Sequence, residues 1–369
     1  MLDITEIVIH RLIMPLQMQF ETSFGVQTDR DLILVEARTR DGFVGWGESV
    51  AMSSPLYNEE TTDTVQAILT RELIPFTLST KWTHPSEFLS KTAFLHGNHM
   101  AKFAVEGALW DIWSQQQGLP LRLAIGGTKS KVEVGVSIGI KPIGELLSEI
   151  EEYNGQGYRR IKIKIRPGWD IEPVSAIRKK YPNVPLMVDA NTAFDKRHFP
   201  IFMELDKYDL MMIEQPLPAN AWEDYTELQA QLNTSICLDE SIHTLEDALR
   251  AIRMKSCRII NVKLGRIGGI QAALELVPIA RQSGIQLWCG GMLETGIGRA
   301  FNIAIATLDG FTLPGDTAAS QRYWKPDIII PEVTVDHGEI TVPTTPGLGY
   351  SVHTGQIQRY QKTQWHFRP

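Results

Sequence analysis

Lys164, Asp189, Glu214, Asp239 and Lys263 each close an apolar run, at successive intervals of 25, 25, 25 and 24 residues. Asp189, Glu214 and Asp239, brought into one confined cavity, would repel one another unless a cation joined them. All-oxygen ligation with room left for water and substrate suits Mg²⁺, or Mn²⁺ in its place, better than Zn²⁺. These three acids are therefore the expected metal ligands, and Asn191 and Glu240, one or two residues beyond ligands, are expected to support them. A plain salt-bridge network between the acids and the lysines is the competing reading. Buried ion pairs contribute little stability and need a functional reason to exist.

The lysines point to proton transfer. Strand alternation puts Lys162 and Lys164 on one face and Ile161, Ile163 and Ile165 on the other. The isoleucines suit a helix layer, which leaves two ammonium groups directed inward. Lys162 disfavours a second positive charge beside it, so Lys164 is the expected base near neutral pH. Three acids and three lysines (Lys162, Lys164, Lys263) cancel, and a divalent ion then leaves the site at about +2. Such a site favours a carboxylate substrate, and favours still more the dianionic enediolate formed when its α-proton is removed. Lys263 is expected to face the same carbon from the other side.

These groups need a frame that places the ends of successive strands together. Apolar strands alternating with helices indicate a parallel sheet covered on both faces. Val132–Ile140, Arg160–Ile165, Pro185–Asp189, Leu210–Glu214, Ser235–Asp239, Arg258–Lys263, Ile285–Cys289 and a short Phe311–Pro314 make eight strands. The fold class is thus α/β, a (β/α)8-type TIM barrel, whose active sites lie at the carboxyl ends of the strands. The barrel is expected over residues 126–320. Residues 1–125, an antiparallel meander followed by helices, form an α+β capping domain, and 321–369 are expected to pack back on it. Between the first two strands, Gln17–Asp29 reads as an aromatic loop that could cover a pocket through Phe20 and Phe24.

Composition excludes other classes. The chain has 369 residues and a net charge of −7, with no basic run to meet a nucleic acid. Met1–Phe20 carries Asp3, Glu6, His10 and Arg11, so neither a signal peptide nor a membrane span is expected there, and a cytoplasmic location is the default. Cys237, Cys257 and Cys289 sit in apolar segments and read as buried free thiols. The glycine stretches 265–269 and 290–298 do not match Gly-x-Gly-x-x-Gly. They suit backbone approach to a substrate carboxylate.

The Lys-x-Lys strand, the Asp/Glu/Asp set and the sixth-strand lysine together resemble the enolase superfamily, and its muconate-lactonizing-enzyme subgroup in particular. Lysine bases working with Mg²⁺ are a general pattern of that superfamily. Val262-Lys263-Leu-Gly-Arg266, Gly290-Gly-Met-Leu-Glu294 and Phe311-Thr-Leu-Pro-Gly-Asp316 are similar to the o-succinylbenzoate synthase/N-succinylamino acid racemase (N-acylamino acid racemase) family. The resemblance implies a modified barrel with a capping domain and a Mg²⁺-dependent lyase of menaquinone biosynthesis. That lyase dehydrates 2-succinyl-6-hydroxy-2,4-cyclohexadiene-1-carboxylate, with racemisation of N-succinylamino acids as a second activity. It also implies that Lys164 takes the α-proton, that Lys263 stabilises the enolate in the synthase reaction, and that both lysines exchange protons in racemisation. Arg266 is associated with the racemase activity. Ser137, Gly291, Met292, Glu294, Phe20 and Phe24 are the remaining expected substrate contacts, and relatives of this kind assemble as homo-oligomers. A muconate cycloisomerase and a dedicated racemase share the same groups, and a silent metal-binding scaffold is the non-enzyme alternative. The seventh strand ends in Trp288-Cys289-Gly290 and offers no histidine base. The eighth lacks the Asp-x-Asp of a dipeptide epimerase.

Overall fold

The computed structural model describes residues 1–22 and 25–369, the side chains of residues 20–22 excepted. Phe24 and the side chain of Phe20 therefore lie outside what is described. Among the described residues no helix is long and apolar enough to cross a membrane.

The capping sheet starts with Ile4–Thr22, Gly25–Thr39 and Val44–Ser49 in antiparallel succession. Most of the segment expected as a loop is strand, since Phe20 pairs with Gln27 and Thr22 with Gly25. Backbone pairing along a long hairpin satisfies the N–H and C=O groups that a loop would leave to water. The last strand, Gln361–Phe367, pairs with the first, Ile7 facing Phe367. Helix His99–Gln116 lies across this sheet. Its close approach explains the Gly-Trp-Gly of the third strand: a Cβ on Gly45 would sit 2.2 Å from the Ala108 carbonyl oxygen, and one on Gly47 1.9 Å from that of Ala104. No side chain fits there.

The second unit is a parallel sheet of seven strands, Val136–Ile138, Ile161–Lys164, Leu186–Asp189, Ile213–Glu214, Ile236–Leu238, Ile259–Val262 and Gln286–Cys289, neighbours in that order. Residues 311–316 close the ring as a short eighth segment, bridging Leu287 through Phe311 and Val134 through Gly315. The expected strand Val132–Ile140 divides in two. Lys131–Glu133 pairs antiparallel with Glu339–Thr341, and only Val136–Ile138 enters the barrel. The break falls at Gly135, where a Cβ would meet the Arg160 carbonyl oxygen at 2.7 Å and the Arg160 guanidinium at 2.8 Å.

Alternation along the strands sorts the barrel interior into layers. Ile161, Ile163 and Ile165 are buried against the helices, in one large apolar cluster. Inside the ring, Met187, Met212, Cys237, Ile259 and Trp288 form a separate apolar plug. Asp189, Glu214, Asp239 and Asn261 each stand two residues further along those same strands, so the charged layer rests directly on a floor of sulfur, aliphatic and indole groups. All three cysteines are free and buried, and the Trp288 Nε1 donates to Cys237 Sγ at 3.2 Å.

Buried carboxylates join the cap to the barrel. Glu48, at the end of the third capping strand, accepts from Thr295 N (2.9 Å), Thr295 Oγ1 (2.5 Å) and Gly298 N (2.8 Å) at the start of helix Gly296–Ala306. Glu106 does the same for helix Ile270–Gln282 through Ile270 N (2.7 Å) and Gln271 N (2.9 Å). Each acid satisfies N–H groups that a helix start leaves unpaired. Burial nevertheless pushes both carboxyls up to about 7.

Candidate active site

Asp189 and Glu214 are register partners on neighbouring strands, and Asp239 follows directly on the next. All three are fully buried. Burial works against ionisation at Asp189, but the ammonium groups of Lys164 and Lys162 overcome it and hold the carboxyl below its usual range. Asp239 is held well below that range in the same way, burial being outweighed by Arg266 and Lys263. Glu214 goes the other way, pushed up to about 8 by burial and then by Asp189. Its Oε1 accepts from Asn261 Nδ2 at 2.7 Å. Glu240 is raised to about 7 by burial, Asp239 and Asp189.

Lys164 donates to Asp189 Oδ2 (2.6 Å) and Asn191 Oδ1 (2.7 Å). Asn191 in turn donates to Glu240 Oε1 at 2.7 Å, so both expected supporting residues share one network with Lys164. Lys162 reaches Asp316 Oδ2 (2.8 Å), Glu214 Oε2 (3.2 Å) and Asp189 Oδ2 (3.5 Å). Burial would lower the Lys162 ammonium, yet Asp316, Glu214 and Asp189 hold it well above its ordinary value. Lys162 is thus a fixed positive charge beside Lys164. Lys263 lies across the site, donating to Asp239 Oδ2 (2.8 Å) and Tyr57 Oη (2.7 Å).

Arg266 is 2% exposed and stands behind the cavity wall. It donates to the Ile242 carbonyl (2.8 Å) and to Tyr57 Oη, and its Nη2 lies 2.6 Å from Asp239 Oδ1. Arg266 therefore bears on the acid and the tyrosine that hold Lys263. Asn191, Gln215 and Leu293, each shortly after a strand, have φ of 40°, 38° and 57°, a left-handed backbone that costs on the order of 1–3 kcal/mol and is typical of functional sites. Gln215 offsets part of that cost by accepting from Asp239 N (2.8 Å) and Ser241 N (3.2 Å), which fixes the turn that carries Asp239.

A cleft opens above these groups. Lys162, Lys164, Lys263, Asp189 and Asn191 line it, together with Ser137, Gly291, Met292 and Glu294 from the expected substrate contacts. The cap contributes Gln27, Met52 and Tyr57, and Arg299, Asp316 and Tyr323 complete the wall. Tyr57, Asn261, Arg299 and Asp316 were not singled out from sequence. Asp316 alone was legible as a charge closing the eighth strand, where it bridges Lys162 and the buried Arg160.

Among the described residues no three His, Cys, Asp or Glu side chains stand gathered as a metal cage; lysines hold the acids instead. The donor set still fits a hard divalent ion. Three carboxylates end adjacent strands, and Glu240 Oε2, one residue beyond Asp239, is buried without a hydrogen-bond partner. This surplus of buried oxygen is the kind a hard cation relieves.

The family models agree with this geometry. "Mandelate racemase / muconate lactonizing enzyme, N-terminal domain" matches residues 4–126, and "Enolase C-terminal domain-like" matches residues 145–356. The chain belongs to the enolase superfamily. Within the superfamily it is 49% identical over 360 residues to an o-succinylbenzoate synthase of Geobacillus kaustophilus, covering 97% of this chain and 96% of the relative. It is 41% identical over 347 residues to an N-succinylamino acid racemase of Thermus thermophilus, covering 94% of each. A solved enolase-superfamily structure from Listeria innocua superposes with a TM-score of 0.97 at 38% identity, over the whole of both chains. Superfamily members of this kind depend on a divalent metal.

Proposed function

We propose that this chain is an o-succinylbenzoate synthase that also racemises N-succinylamino acids, with Asp189, Glu214 and Asp239 holding Mg²⁺ or Mn²⁺. The observation that carries the reading is the pair Lys164 and Lys263 lining one cleft from opposite arcs of the ring, in a chain similar along nearly its whole length to synthases. What a bound divalent ion supplies is positive charge beside the substrate carboxylate as it becomes an enediolate. Lys162, held charged, adds to that charge. Lys164, oriented by Asp189 and Asn191 and acting as the neutral amine, takes the α-proton onto Nζ, a role worth about 10²–10⁴ in rate. The C–O bond then breaks, and the proton on Lys164 is available to the departing hydroxide, so water leaves. Lys263, held by Asp239 and Tyr57, stabilises the enolate from the other face.

Racemisation uses the same groups: one lysine removes the α-proton and the other returns one from the opposite side. Arg266 supports this second activity through its contacts to Asp239 and Tyr57, which set the position of Lys263. Three buried free thiols suit the reducing cytoplasm. The purified protein should form o-succinylbenzoate with added Mg²⁺ and lose that activity to a chelator. Turnover that survives chelation would refute the metal's role.

A further inference from the structure

Four cations line the cleft, and one of them stands apart. Lys162, Lys164 and Lys263 are each ion-paired at 2.6–2.8 Å. Arg299, only 2% exposed, has no ion-pair partner among the described residues, and its Nη1 and Nη2 are buried without a hydrogen-bond partner. Its Cζ stacks over the Tyr323 ring at 5.0 Å, a contact that orients a guanidinium but accepts none of its N–H bonds. In the same wall, Ser137 Oγ is buried and also without a partner.

A buried guanidinium with unmet donors is costly, and such groups persist where a ligand completes them. Ring topology says where that ligand group lies. The metal-binding acids end the third, fourth and fifth strands. Ser137 is on the first strand, Arg299 is on the helix after the seventh, and Tyr323 follows the eighth. Arg299 and Ser137 therefore occupy the opposite arc of the cleft.

We propose that Arg299, with Ser137, is the receptor for a second carboxylate, that of the substrate's succinyl arm, and so selects dicarboxylates. The inference rests on the proposed function for the first carboxylate, which lies at the metal and Lys162. A planar five-donor fork matches a carboxylate in two parallel hydrogen bonds, which a hydroxyl donor can supplement.

The test compares an N-succinylamino acid with the congener whose terminal carboxylate is a neutral amide, using the Mg²⁺-loaded full chain. Wild type should favour the acid by roughly 10–100-fold in kcat/KM, the range of hydrogen bonds to a charged group. In Arg299→Gln the ratio should collapse towards one, mainly through KM, while Arg299→Lys keeps part of it and Ser137→Ala lowers it by a few-fold. An unchanged ratio in Arg299→Gln, or equal loss on both substrates, overturns the proposal. Calorimetric binding of the same two ligands is read in parallel. If wild type binds the acid more tightly but turns over neither, the proposed reaction fails and the receptor stands. If it binds both alike, the receptor fails whatever the turnover.

Discussion

Glu48→Gln tests how the cap is fastened over the site. The carboxylate is buried, accepts three hydrogen bonds from the start of helix Gly296–Ala306, and titrates near 7 rather than near the ordinary 4.5 because burial penalises its charge. A carboxyl raised on folding contributes its full stability below the unfolded pKa. That contribution shrinks as pH rises through the folded value and is flat above it. At 1.36 kcal/mol per pH unit, the swing between pH 4.5 and pH 7 is on the order of 3 kcal/mol. Glutamine cannot ionise and keeps one accepting oxygen. At pH 5 the variant should be less stable by about 1–3 kcal/mol, the cost of leaving a buried donor unmet. At pH 8 that deficit should shrink by about 2–3 kcal/mol or reverse. Urea unfolding followed by tryptophan fluorescence at both pH values measures the difference. A deficit that is equal at both, or larger at pH 8, would refute the argument that burial dominates at Glu48.

Tyr57→Phe removes the oxygen that holds Lys263 at 2.7 Å; a hydrogen bond to a charged group is worth about 1.5–3 kcal/mol. Deuterium exchange should fall roughly 10–100-fold for the N-succinyl enantiomer deprotonated by Lys263, and less for the other. Asp316→Ala leaves Arg160 and Lys162 buried without their shared anion and should cost about 3–5 kcal/mol by urea unfolding. A cost near zero would show that Glu214 and Asp189 suffice for Lys162. Asp189→Asn should weaken Mg²⁺ binding at least about tenfold by calorimetry, and unchanged affinity would remove Asp189 from the ligand set.

The barrel was legible because its period and its chemistry coincide: a charge closes five successive apolar strands, and alternation assigns Lys162 and Lys164 to one face without reference to anything distant. The same reasoning could not find Tyr57. It comes from the cap, more than 200 positions before Lys263, and its contact exists only once two units dock. Arg299 was hidden differently, since it lies one turn inside an apolar helix where periodicity reports packing rather than an unmet donor. Arg266 was visible as a residue type, but its burial depends on the Ile242 carbonyl and Asp239. The division of Val132–Ile140 was missed because Gly135 interrupts no hydrophobic pattern; it is required by the approach of Arg160 from the next strand. In Gln17–Asp29 the glycine and aromatic residues suggest a loop, whereas strand pairing decides the conformation of residues 20–22 and 25–27.

The whole proposed reaction turns on Lys164 as the base. The most direct measurement is the pre-steady-state loss of the α-proton from the synthase substrate in the Mg²⁺-loaded protein, wild type against Lys164→Ala, with Mg²⁺ affinity measured on both. Proton loss and o-succinylbenzoate formation are expected in wild type. In the variant the rate should fall about 10²-fold or more with metal still bound. Proton loss at the wild-type rate in Lys164→Ala would contradict that role.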